Sequence, residues 1–568
     1  MDYLISILTF AVIWAILVLS LNLLLGYAGQ VSLGHAAFFG IGAYTAAILA
    51  TRYQLPFLLT IPGAMLVTAV VGGFLGLPSL RVRQDFLVLV TIGLNFIVVG
   101  TLTYTEFFGG ALGIVGIPVP QILGFKLKGV DYLAFCILFL ILAAWINWAI
   151  PITWSGLGMF ALRDDEVAAE SVGVSHARYK ILAFALSGAF AGLGGALYAP
   201  FVGNVFPQRF GFAESVTLVS MLVFGGIGTV RGAIFGGMIL KSMPEFLRFG
   251  GEYRFAFYGA LLLMTILFLP EGVLGDESPI WRVFRRGWNW LQGRVRKKGT
   301  PVRTPRSSVM FNKDSGSSSN EQHVLRIQNV TVDFGGLRAV DSVSFSVHSS
   351  EILGLIGPNG AGKTTLFNAI TGVVPLTNGQ IILDKQEIQG LPPHTSAHNG
   401  VARTFQVVRP FASMDVQNNV LTGLGTKLYP KIGSLFRMKK AGFAESRGIT
   451  QQVGLDELEK TKASQLPIGL LRRLEVGRAV ATQAKFVLLD EPAAGLAHEE
   501  VEELQALVKG LAIQGYGVIL VEHNMRFAMN VCDRIVVLAA GKLLAEGKPE
   551  VISRNPEVIE AYLGSATA

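Results

Sequence analysis

Long apolar segments constrain the fold of this chain more than any other feature. Most of them approach the ~20 residues that cross a bilayer as a helix. The runs are Ile5–Leu25, Val31–Ala50, Phe57–Leu77, Phe86–Tyr104, Tyr132–Ile150, Ile181–Ala199 and Phe255–Leu269. Glycines inside several runs let helices approach closely in lipid, where hydrophobicity gives no drive to associate. The sequence therefore predicts an all-α transmembrane domain over residues 1–275.

A glycine-rich stretch interrupts this pattern before the last run. Ser215–Phe224 and Ala233–Leu240 are short apolar segments, and Gly225–Gly228 separates them. Basic residues in short loops, among them Arg81 and Arg163, indicate the loops that face the cytoplasm. Parity then requires the broken segment to return to the side that it left. A re-entrant helix pair and two plain spans with a tight turn both satisfy this requirement.

Residues 276–322 are predicted to form a basic juxtamembrane segment followed by a flexible linker. The cations are Arg282, Arg285, Arg286, Arg294, Arg296, Lys297, Lys298, Arg303 and Arg306, and Trp281, Trp288, Trp290 and Leu291 lie among them. Such a stretch is typical of an interfacial segment on an anionic lipid surface. Because it directly follows a span, it explains the net charge of +8 better than nucleic-acid binding does.

The second part of the chain, residues 323–568, contains a complete phosphate-binding loop. Glu351–Ile356 is a predicted strand and Thr364–Gly372 a predicted helix, so the loop lies at a strand-to-helix turn. The nucleotide-binding candidates are Gly357, Pro358, Asn359, Gly360, Ala361, Gly362, Lys363, Thr364 and Thr365. Backbone N–H groups of such a loop bind phosphate oxygens, Lys363 reaches the β- and γ-phosphates, and the Thr364 hydroxyl coordinates Mg²⁺.

Polar residues that suit phosphoryl transfer follow this loop in the chain. Asp490 and Glu491 end an apolar strand, and we assign Mg²⁺ binding to Asp490 and orientation or deprotonation of the attacking water to Glu491. Gln406 could complete the Mg²⁺ shell and sense the γ-phosphate. His523 follows another strand, at the same edge of the sheet, where it can hydrogen-bond the γ-phosphate. The predicted fold is thus a membrane domain followed by an α/β P-loop NTPase with ATP and Mg²⁺ as cofactors.

Residues 324–564 resemble the ATPase subunit of ABC transporters, in the branch that serves branched-chain amino acid uptake. The similarity lies in the stretches Ala402–Gln406, Asp490–Leu496 and Glu522–Met525. It implies that Phe334 stacks on the adenine ring. It also places a signature loop, which contacts ATP across a dimer interface, at Leu466, Pro467, Ile468, Gly469 and Leu470.

That signature loop departs from the family pattern. Pro467 has neither a hydroxyl nor an N–H group, and leucines stand at 470 and 471, where glutamines are expected. In the next loop Ala497 replaces the usual Asn or Asp. We therefore expect this chain to bind ATP well at its own phosphate loop but to contribute poorly to a partner's ATP.

The first half resembles the permease subunit of the same family. The most specific match is Leu21–Phe38. A second match resembles the coupling helix that rests in a groove of the ATPase; the alternative is a plain solvated loop. Its candidate residues are Arg163, Asp164, Asp165, Glu166, Ala168, Ala169, Glu170 and Gly173.

The resemblance implies ATP-driven import of branched-chain or other hydrophobic amino acids across the bacterial inner membrane, with the ATPase domain in the cytoplasm. Urea or short amides are the alternative substrates. The implied partners are a second permease, a second ATPase and a periplasmic substrate-binding protein, with a homodimer as the other arrangement. An ABC exporter and an ATP-gated membrane regulator are the competing classes, and nucleic acid is not an expected partner.

Overall fold

A computed structural model describes residues 2–82, 84–246, 253–283, 322–425 and 438–563. Packing divides the chain into two units, Met1–Ile152 with His176–Lys298, and Thr153–Ser175 with Gly299–Ala568. The sequence predicts domains that are each continuous along the chain. In the structure, residues 153–175, which lie within the predicted membrane domain, pack with the second unit. Most of the predicted basic segment and all of the predicted linker, from residue 284 to 321, lie outside the described residues.

Helices make up nearly all of the first 283 residues as far as they are described. They are α1 (Asp2–Leu21), α2 (His35–Thr51), α3 (Phe57–Gly76), α4 (Gln84–Tyr104), α5 (Val130–Ala149), α6 (Trp154–Asp164), α7 (Glu166–Ser171), α8 (His176–Val202), α9 (Phe212–Gly225), α10 (Val230–Phe246) and α11 (Arg254–Phe268). Helices α6 and α7 belong to the second unit. A π-helical turn, Asn22–Tyr27, continues α1. In the described part of the chain, five helical stretches are long and apolar enough to cross a membrane.

Small loops complete the first unit. Strand β1 (Ile114–Val115) pairs with β4 (Asn204–Val205), and β2 (Gln121–Ile122) pairs with β3 (Phe125–Lys126).

Glycines set the closest helix contacts of this unit. A Cβ on Gly72 of α3 would lie 2.5 Å from the Phe184 carbonyl oxygen of α8, and a Cβ on Gly188 would lie 2.5 Å from the Thr68 oxygen. Any larger residue would therefore push α3 and α8 apart. This is the small-residue packing that the apolar runs predicted.

The predicted glycine break is confirmed. Helix α9 ends at Gly225 and α10 begins at Val230, with Gly226 at φ 126° and Gly228 at φ 79° between them. The Gly228 N–H donates to Asn22 Oδ1 at 2.8 Å. The break thus contacts the π-helical turn that continues α1.

The second unit contains two β-sheets. Its strands are β5 (Val324–Phe334), β6 (Leu337–His348), β7 (Ile352–Ile356), β8 (Asn378–Leu383), β9 (Gln386–Glu387), β10 (Val401–Arg403), β11 (Phe486–Asp490), β12 (Gly517–Val521), β13 (Arg534–Ala539) and β14 (Lys542–Gly547). The larger sheet has the order β10-β11-β12-β7-β13-β14 and is parallel except for β14, whereas β6-β5-β8-β9 is antiparallel. Strands β7, β11 and β12 are buried along their whole length, as strands of a parallel sheet covered on both faces should be.

Helices cover this sheet. They are α12 (Lys363–Ile370), α13 (Pro393–Asn399), α14 (Val416–Leu424), α15 (Phe443–Gln452), α16 (Ile468–Ala481), α17 (His498–Ile513), α18 (Met525–Val531), α19 (Pro549–Ile552) and α20 (Pro556–Leu563). Because β7, β11 and β12 are adjacent and parallel, their carboxyl ends bring the phosphate loop, Asp490 and Glu522 to one edge.

Candidate active site

The phosphate loop joins β7 to the N-terminus of α12, as the sequence predicted. Gly357 has φ 155°, and a Cβ there would lie 2.2 Å from the Leu538 oxygen. Gly362 has φ 94°, and a Cβ there would lie 2.3 Å from the Ala339 oxygen. Both positions therefore exclude other residues, and the loop lies against two neighbouring strands. Its outer part, Asn359 and Gly360, is exposed to solvent.

Lys363 lies inside the curve of this loop. Its Nζ donates to the carbonyl oxygens of Gly357 at 2.7 Å and Pro358 at 2.9 Å. Burial lowers the pKa of this lysine, while Glu491 and Asp490 act in the opposite direction. An entering phosphate would offer Lys363 oxygen acceptors in place of the two carbonyls. Thr364 and Thr365 follow in the first turn of α12, where anions are favoured.

The three predicted catalytic residues meet at one carboxylate. Gln406 Nε2 donates to Glu491 Oε2 at 2.9 Å, and His523 Nε2 lies 2.8 Å from Glu491 Oε1. These residues come from three separate parts of the sequence, as expected for side chains at the carboxyl edge of a parallel sheet. Both oxygens of Glu491 are therefore held in place.

Asp490, one residue earlier, lies in a different environment. Its side chain is buried, and Arg403 Nη2 lies 3.8 Å from Asp490 Oδ2. Burial raises the pKa of Asp490, and Arg403 opposes this shift. Burial lowers the pKa of Arg403 to about 10. Sequence reasoning missed Arg403, although it directly precedes Thr404 in a stretch that carried the resemblance.

The oxygen-bearing side chains assigned to Mg²⁺ suit this ion. The set comprises the Thr364 hydroxyl, the Gln406 amide and the Asp490 carboxylate, and Mg²⁺ prefers oxygen ligands. The space beside the loop is open at Gly360, because a Cβ at that position would meet nothing within 4 Å. The loop and its neighbours thus fit a nucleotide with its metal.

Phe334 lies at the tip of the β5–β6 hairpin. It is 49% exposed, and Leu337 is its partner across the strands. Farther along β6, the Ala339 oxygen approaches Gly362 of the phosphate loop. An exposed aromatic ring near this loop is compatible with adenine stacking, and that role stays a prediction.

The signature candidates form the start of α16. Pro467 is the N-cap, and no side-chain hydrogen bond caps the helix. The first-turn N–H groups of Ile468, Gly469 and Leu470 have no intrahelical acceptor in an α-helix. Pro467 precedes that first turn, so its lack of an N–H leaves the first-turn donors unchanged. The absence that matters more at this N-cap is that of a capping hydroxyl. A Cβ on Gly469 would lie 2.2 Å from Glu500 Oε1, a neighbour that the sequence did not reveal.

The predicted coupling segment packs within the second unit, against the ATPase part. Asp165 caps α7 by accepting from the Ala168 N–H at 2.8 Å, and its other oxygen accepts from Arg409 Nη1 at 3.0 Å. Asp164 accepts from the Ser413 N–H at 2.8 Å and from the Ser413 hydroxyl at 2.9 Å. These contacts join the segment to residues just after Gln406.

Other residues of the segment also contact the ATPase part, are buried or form its following turn. Glu170 Oε1 lies 3.9 Å from His394 Nδ1 of α13. Ala168 and Ala169 are fully buried, and Gly173 has φ 88° at the turn that follows. Arg163 donates to the Ser413 hydroxyl at 2.7 Å. Sequence reasoning found this segment but not its contacts, because Arg409, Ser413 and His394 carry no local signal of this role.

Family models match most of the chain. One described as branched-chain amino acid transport system / permease component matches residues 3–267. A model of ABC transporters matches residues 340–494, and one described as branched-chain amino acid ATP-binding cassette transporter matches residues 542–568.

Three similar proteins are described as ATP-binding proteins of transport or export systems. The high-affinity branched-chain amino acid transport ATP-binding protein BraF of Pseudomonas aeruginosa is 41% identical over 251 residues, which are 43% of this chain and 98% of that protein. LivG of Escherichia coli K12, with the same description, is 42% identical over 254 residues, 43% of this chain and 99% of LivG. The lipopolysaccharide export system ATP-binding protein LptB of Haemophilus influenzae is 33% identical over 241 residues, 42% of this chain and 97% of LptB.

Among solved structures, a nucleotide-free ATP-binding cassette from an ABC transporter is 30% identical, covers 43% of this chain and 99% of that one, and has a TM-score of 0.39. The permease model and the two models of ATP-binding transporter domains match different halves of the sequence. The chain therefore belongs to the ABC transporters of the branched-chain amino acid transport family, and it unites a permease and an ATP-hydrolysing domain in one polypeptide.

Proposed function

We propose that this chain imports branched-chain and other hydrophobic amino acids across the bacterial inner membrane, at the expense of ATP. One observation carries the proposal: a permease unit and a complete hydrolytic constellation, Gln406–Glu491–His523, belong to one polypeptide. The multi-pass membrane unit supplies the path, and the ATPase lies in the cytoplasm, where ATP is available.

Hydrolysis follows from the geometry of the carboxyl edge. The phosphate loop binds the β- and γ-phosphates through its N–H groups, and Lys363 contributes a positive charge. Glu491, held by Gln406 and His523, orients the attacking water and accepts its proton. Thr364, Gln406 and Asp490 would hold Mg²⁺, which neutralises phosphate charge when bound. His523, beside Glu491, would hydrogen-bond the γ-phosphate.

Coupling uses the segment that packs beside Gln406. Asp164 and Asp165 contact Ser413 and Arg409, which follow Gln406 by a few residues. A change at the γ-phosphate that moves Gln406 is therefore transmitted to the segment between α6 and α8. Because α8 is one of the long apolar helices, motion of the segment acts on the membrane unit through covalent connection.

The chain requires a second half. An ABC-type site places ATP between one phosphate loop and another chain's signature loop, and this chain has one of each. We propose a different permease and a second ATPase as the partners, together with a periplasmic binding protein that delivers substrate. A homodimer would instead place the unusual Pro467 loop in both sites.

Uptake in a deletion strain tests the proposal. Complementation with this chain and its partner subunits should restore ATP-dependent uptake of radiolabelled leucine, and Glu491→Gln should abolish it. Uptake of labelled urea or acetamide instead of leucine would replace the substrate while keeping the importer. Outward movement of leucine from preloaded cells, or ATP hydrolysis with no net transport of any of these solutes, would contradict import.

A further inference from the structure

The broken helix pair of the membrane unit carries two ionisable side chains of opposite charge. Glu214 lies eleven residues before the end of α9, and Lys241 lies eleven residues after the start of α10. At 1.5 Å per residue, both are about 16 Å from the glycine break along their helices. Charged side chains inside a membrane domain are costly, and they commonly mark the path of a substrate or an ion.

Close packing of α9 and α10 brings these two positions to the same depth. A Cβ on Gly225 would lie 1.9 Å from the Gly232 oxygen. Farther from the break, a Cβ on Gly236 would lie 2.0 Å from the Met221 oxygen. The contacts of α10 thus move backwards along α9, so the two helices run antiparallel. Equal spacing from the break then places the carboxylate and the amine at one level of the membrane unit.

The Lys241 amine lies near the middle of a membrane span. Its Nζ is 3.6 Å from the centre of the Trp14 ring. Trp14 is at the midpoint of the 26-residue helical stretch Asp2–Tyr27, which is long and apolar enough to cross a bilayer. Helix α10 lies directly against α1 here, because a Cβ on Gly237 would be 2.8 Å from the Ala15 Cα. The two charges thus lie at the depth where transporters with broken helices bind their substrates.

The two charges act on each other without forming a direct ion pair. Glu214 and Arg209 both interact electrostatically with Lys241, but in the described residues Glu214 and Lys241 are not paired directly. An ion pair that stabilises a fold needs close, hydrogen-bonded geometry, which these two side chains lack. Both are half-buried and Arg209 is exposed, so the charges are reachable from the surface of the membrane unit.

Aromatic side chains surround the Lys241 amine on its buried side. Trp14 packs against Phe39 of α2 with ring centres 6.3 Å apart, and Phe39 packs against Tyr198 of α8 at 4.9 Å. None of these three rings is more than 4% exposed. As far as the chain is described, the buried Trp14 Nε1 has no hydrogen-bond acceptor, which costs free energy. The amine is thus bordered by an apolar wall that holds one unused donor.

We propose that Lys241 and Glu214 bind the headgroup of a zwitterionic α-amino acid inside the membrane unit. The Lys241 amine binds the α-carboxylate, the Glu214 carboxylate binds the α-ammonium group, and the Trp14 N–H is a further donor to the α-carboxylate. The aliphatic side chain of the substrate lies against the aromatic wall. The inference rests on the proposed transport of amino acids and identifies where this chain recognises them.

Binding of tritiated leucine to the assembled transporter tests this site. The periplasmic binding protein is left out, because it would select the substrate before the membrane unit does. The full chain with its partner subunits is placed in nanodiscs, and unlabelled leucine, 4-methylpentanoate or 3-methylbutylamine competes for the label. The last two are leucine without its amine and leucine without its carboxylate. We expect each to compete about tenfold more weakly than leucine, since each lacks one charge-assisted contact.

Substitutions assign the two contacts separately. Glu214→Gln and Lys241→Met remove one charge each at nearly constant side-chain size, and each should weaken leucine binding about tenfold. In Glu214→Gln the amine-free competitor should approach leucine in strength, and in Lys241→Met the carboxylate-free competitor should do so. Lys241→Arg, which keeps the charge, should bind leucine within a few-fold of wild type. Lys128→Met and Glu106→Gln, at exposed positions of the same unit, are the matched controls.

Several results would overturn the proposal. They are the absence of saturable leucine binding by the wild-type transporter and unchanged binding in Glu214→Gln and Lys241→Met. Weaker binding together with a lower Tm and an unchanged order of competitors would show that the two charges only stabilise the fold. Failed leucine uptake with the expected binding and competition would count against the proposed transport function alone. Intact uptake without any effect of these substitutions would count against the site alone.

Discussion

Glu491 is held at both carboxylate oxygens and at its backbone N–H. Gln406 and His523 each contact one of its carboxylate oxygens, and its N–H donates to the Val521 oxygen at 2.9 Å. Its φ of 45° is in the left-handed region that few residues other than glycine adopt. Such strain persists where the surrounding structure imposes it, often at functional sites. The carboxylate is thus preoriented before any substrate binds.

Replacing this carboxylate tests its role. Glu491→Gln should lower ATP turnover by about two to three orders of magnitude, since general-base catalysis contributes on that scale. ATP binding should persist because Lys363 and Asp490 remain. Steady-state hydrolysis by the assembled transporter is the measurement, and Glu502→Gln, on the exposed face of α17, is the control. Turnover of Glu491→Gln near that of the control would remove the assignment.

Lys363 should affect binding itself. In Lys363→Ala the phosphates lose charge-assisted hydrogen bonds, which costs about 3 kcal/mol, or roughly a hundredfold in Kd. Fluorescent-nucleotide titration at constant ionic strength measures this loss. Lys385→Ala, in the turn between β8 and β9, is a control for the removal of one charge. Equal affinities of the two variants would mean that Lys363 does not contact the phosphates.

Among the helices and strands, the sequence predicted those features that depend on residues close together in the chain. The apolar run before Asp490 indicated the buried strand Phe486–Asp490, and Gly225–Gly228 indicated the break between α9 and α10. Neither pattern could reveal the contacts of Asp165, because Arg409 is 244 positions away and has no distinctive neighbours. The burial of Arg472 and Glu475 was equally hidden, since charged residues in a helix ordinarily indicate a solvated face.

The coupling segment gives an element-scale prediction. Glu170→Arg removes the carboxylate oxygen that lies 3.9 Å from His394 Nδ1 and places a positive charge beside this ring. We expect ATP binding to be retained and the amount of substrate imported per ATP to fall several-fold, through weakened contact of α7 with α13. Parallel measurement of uptake and hydrolysis in proteoliposomes gives this ratio.

Glu457→Arg, an exposed site elsewhere in the second unit, controls for the reversal of charge. A wild-type ratio in Glu170→Arg would show that the contact of Glu170 with His394 does not couple hydrolysis to transport.

At the scale of the whole molecule, we expect two unequal ATP sites, and the structure indicates which signature-loop residue can be changed to test this. Leu470 is 4% exposed and packs in the hydrophobic core of the second unit, so a glutamine there would bury an amide. Pro467, by contrast, is exposed at the N-cap of α16. The polar group that this signature loop lacks can therefore be restored at Pro467 without disturbing the core.

Hydrolysis by the chain alone and with a second ATPase subunit tests this asymmetry. We expect feeble turnover alone, brisk turnover with the partner, and a several-fold gain alone in Pro467→Ser, where a capping hydroxyl contributes about 1 kcal/mol. Leu496→Ser, at the partly buried end of the loop before α17, is a control for adding a hydroxyl. Brisk turnover by the unmodified chain alone, with no gain from Pro467→Ser, would refute the asymmetry.

Residues 153–175 pack as one unit with the ATPase part, and both belong to the same covalent chain. Their encounter is therefore intramolecular, and linkage within one chain raises the effective concentration of such partners. A contact made of a few partly exposed polar groups, such as Arg409 with Asp165, can then persist although its intrinsic affinity is low. Two separate polypeptides with the same groups would have to bind more tightly, and would release more slowly, to reach the same occupancy.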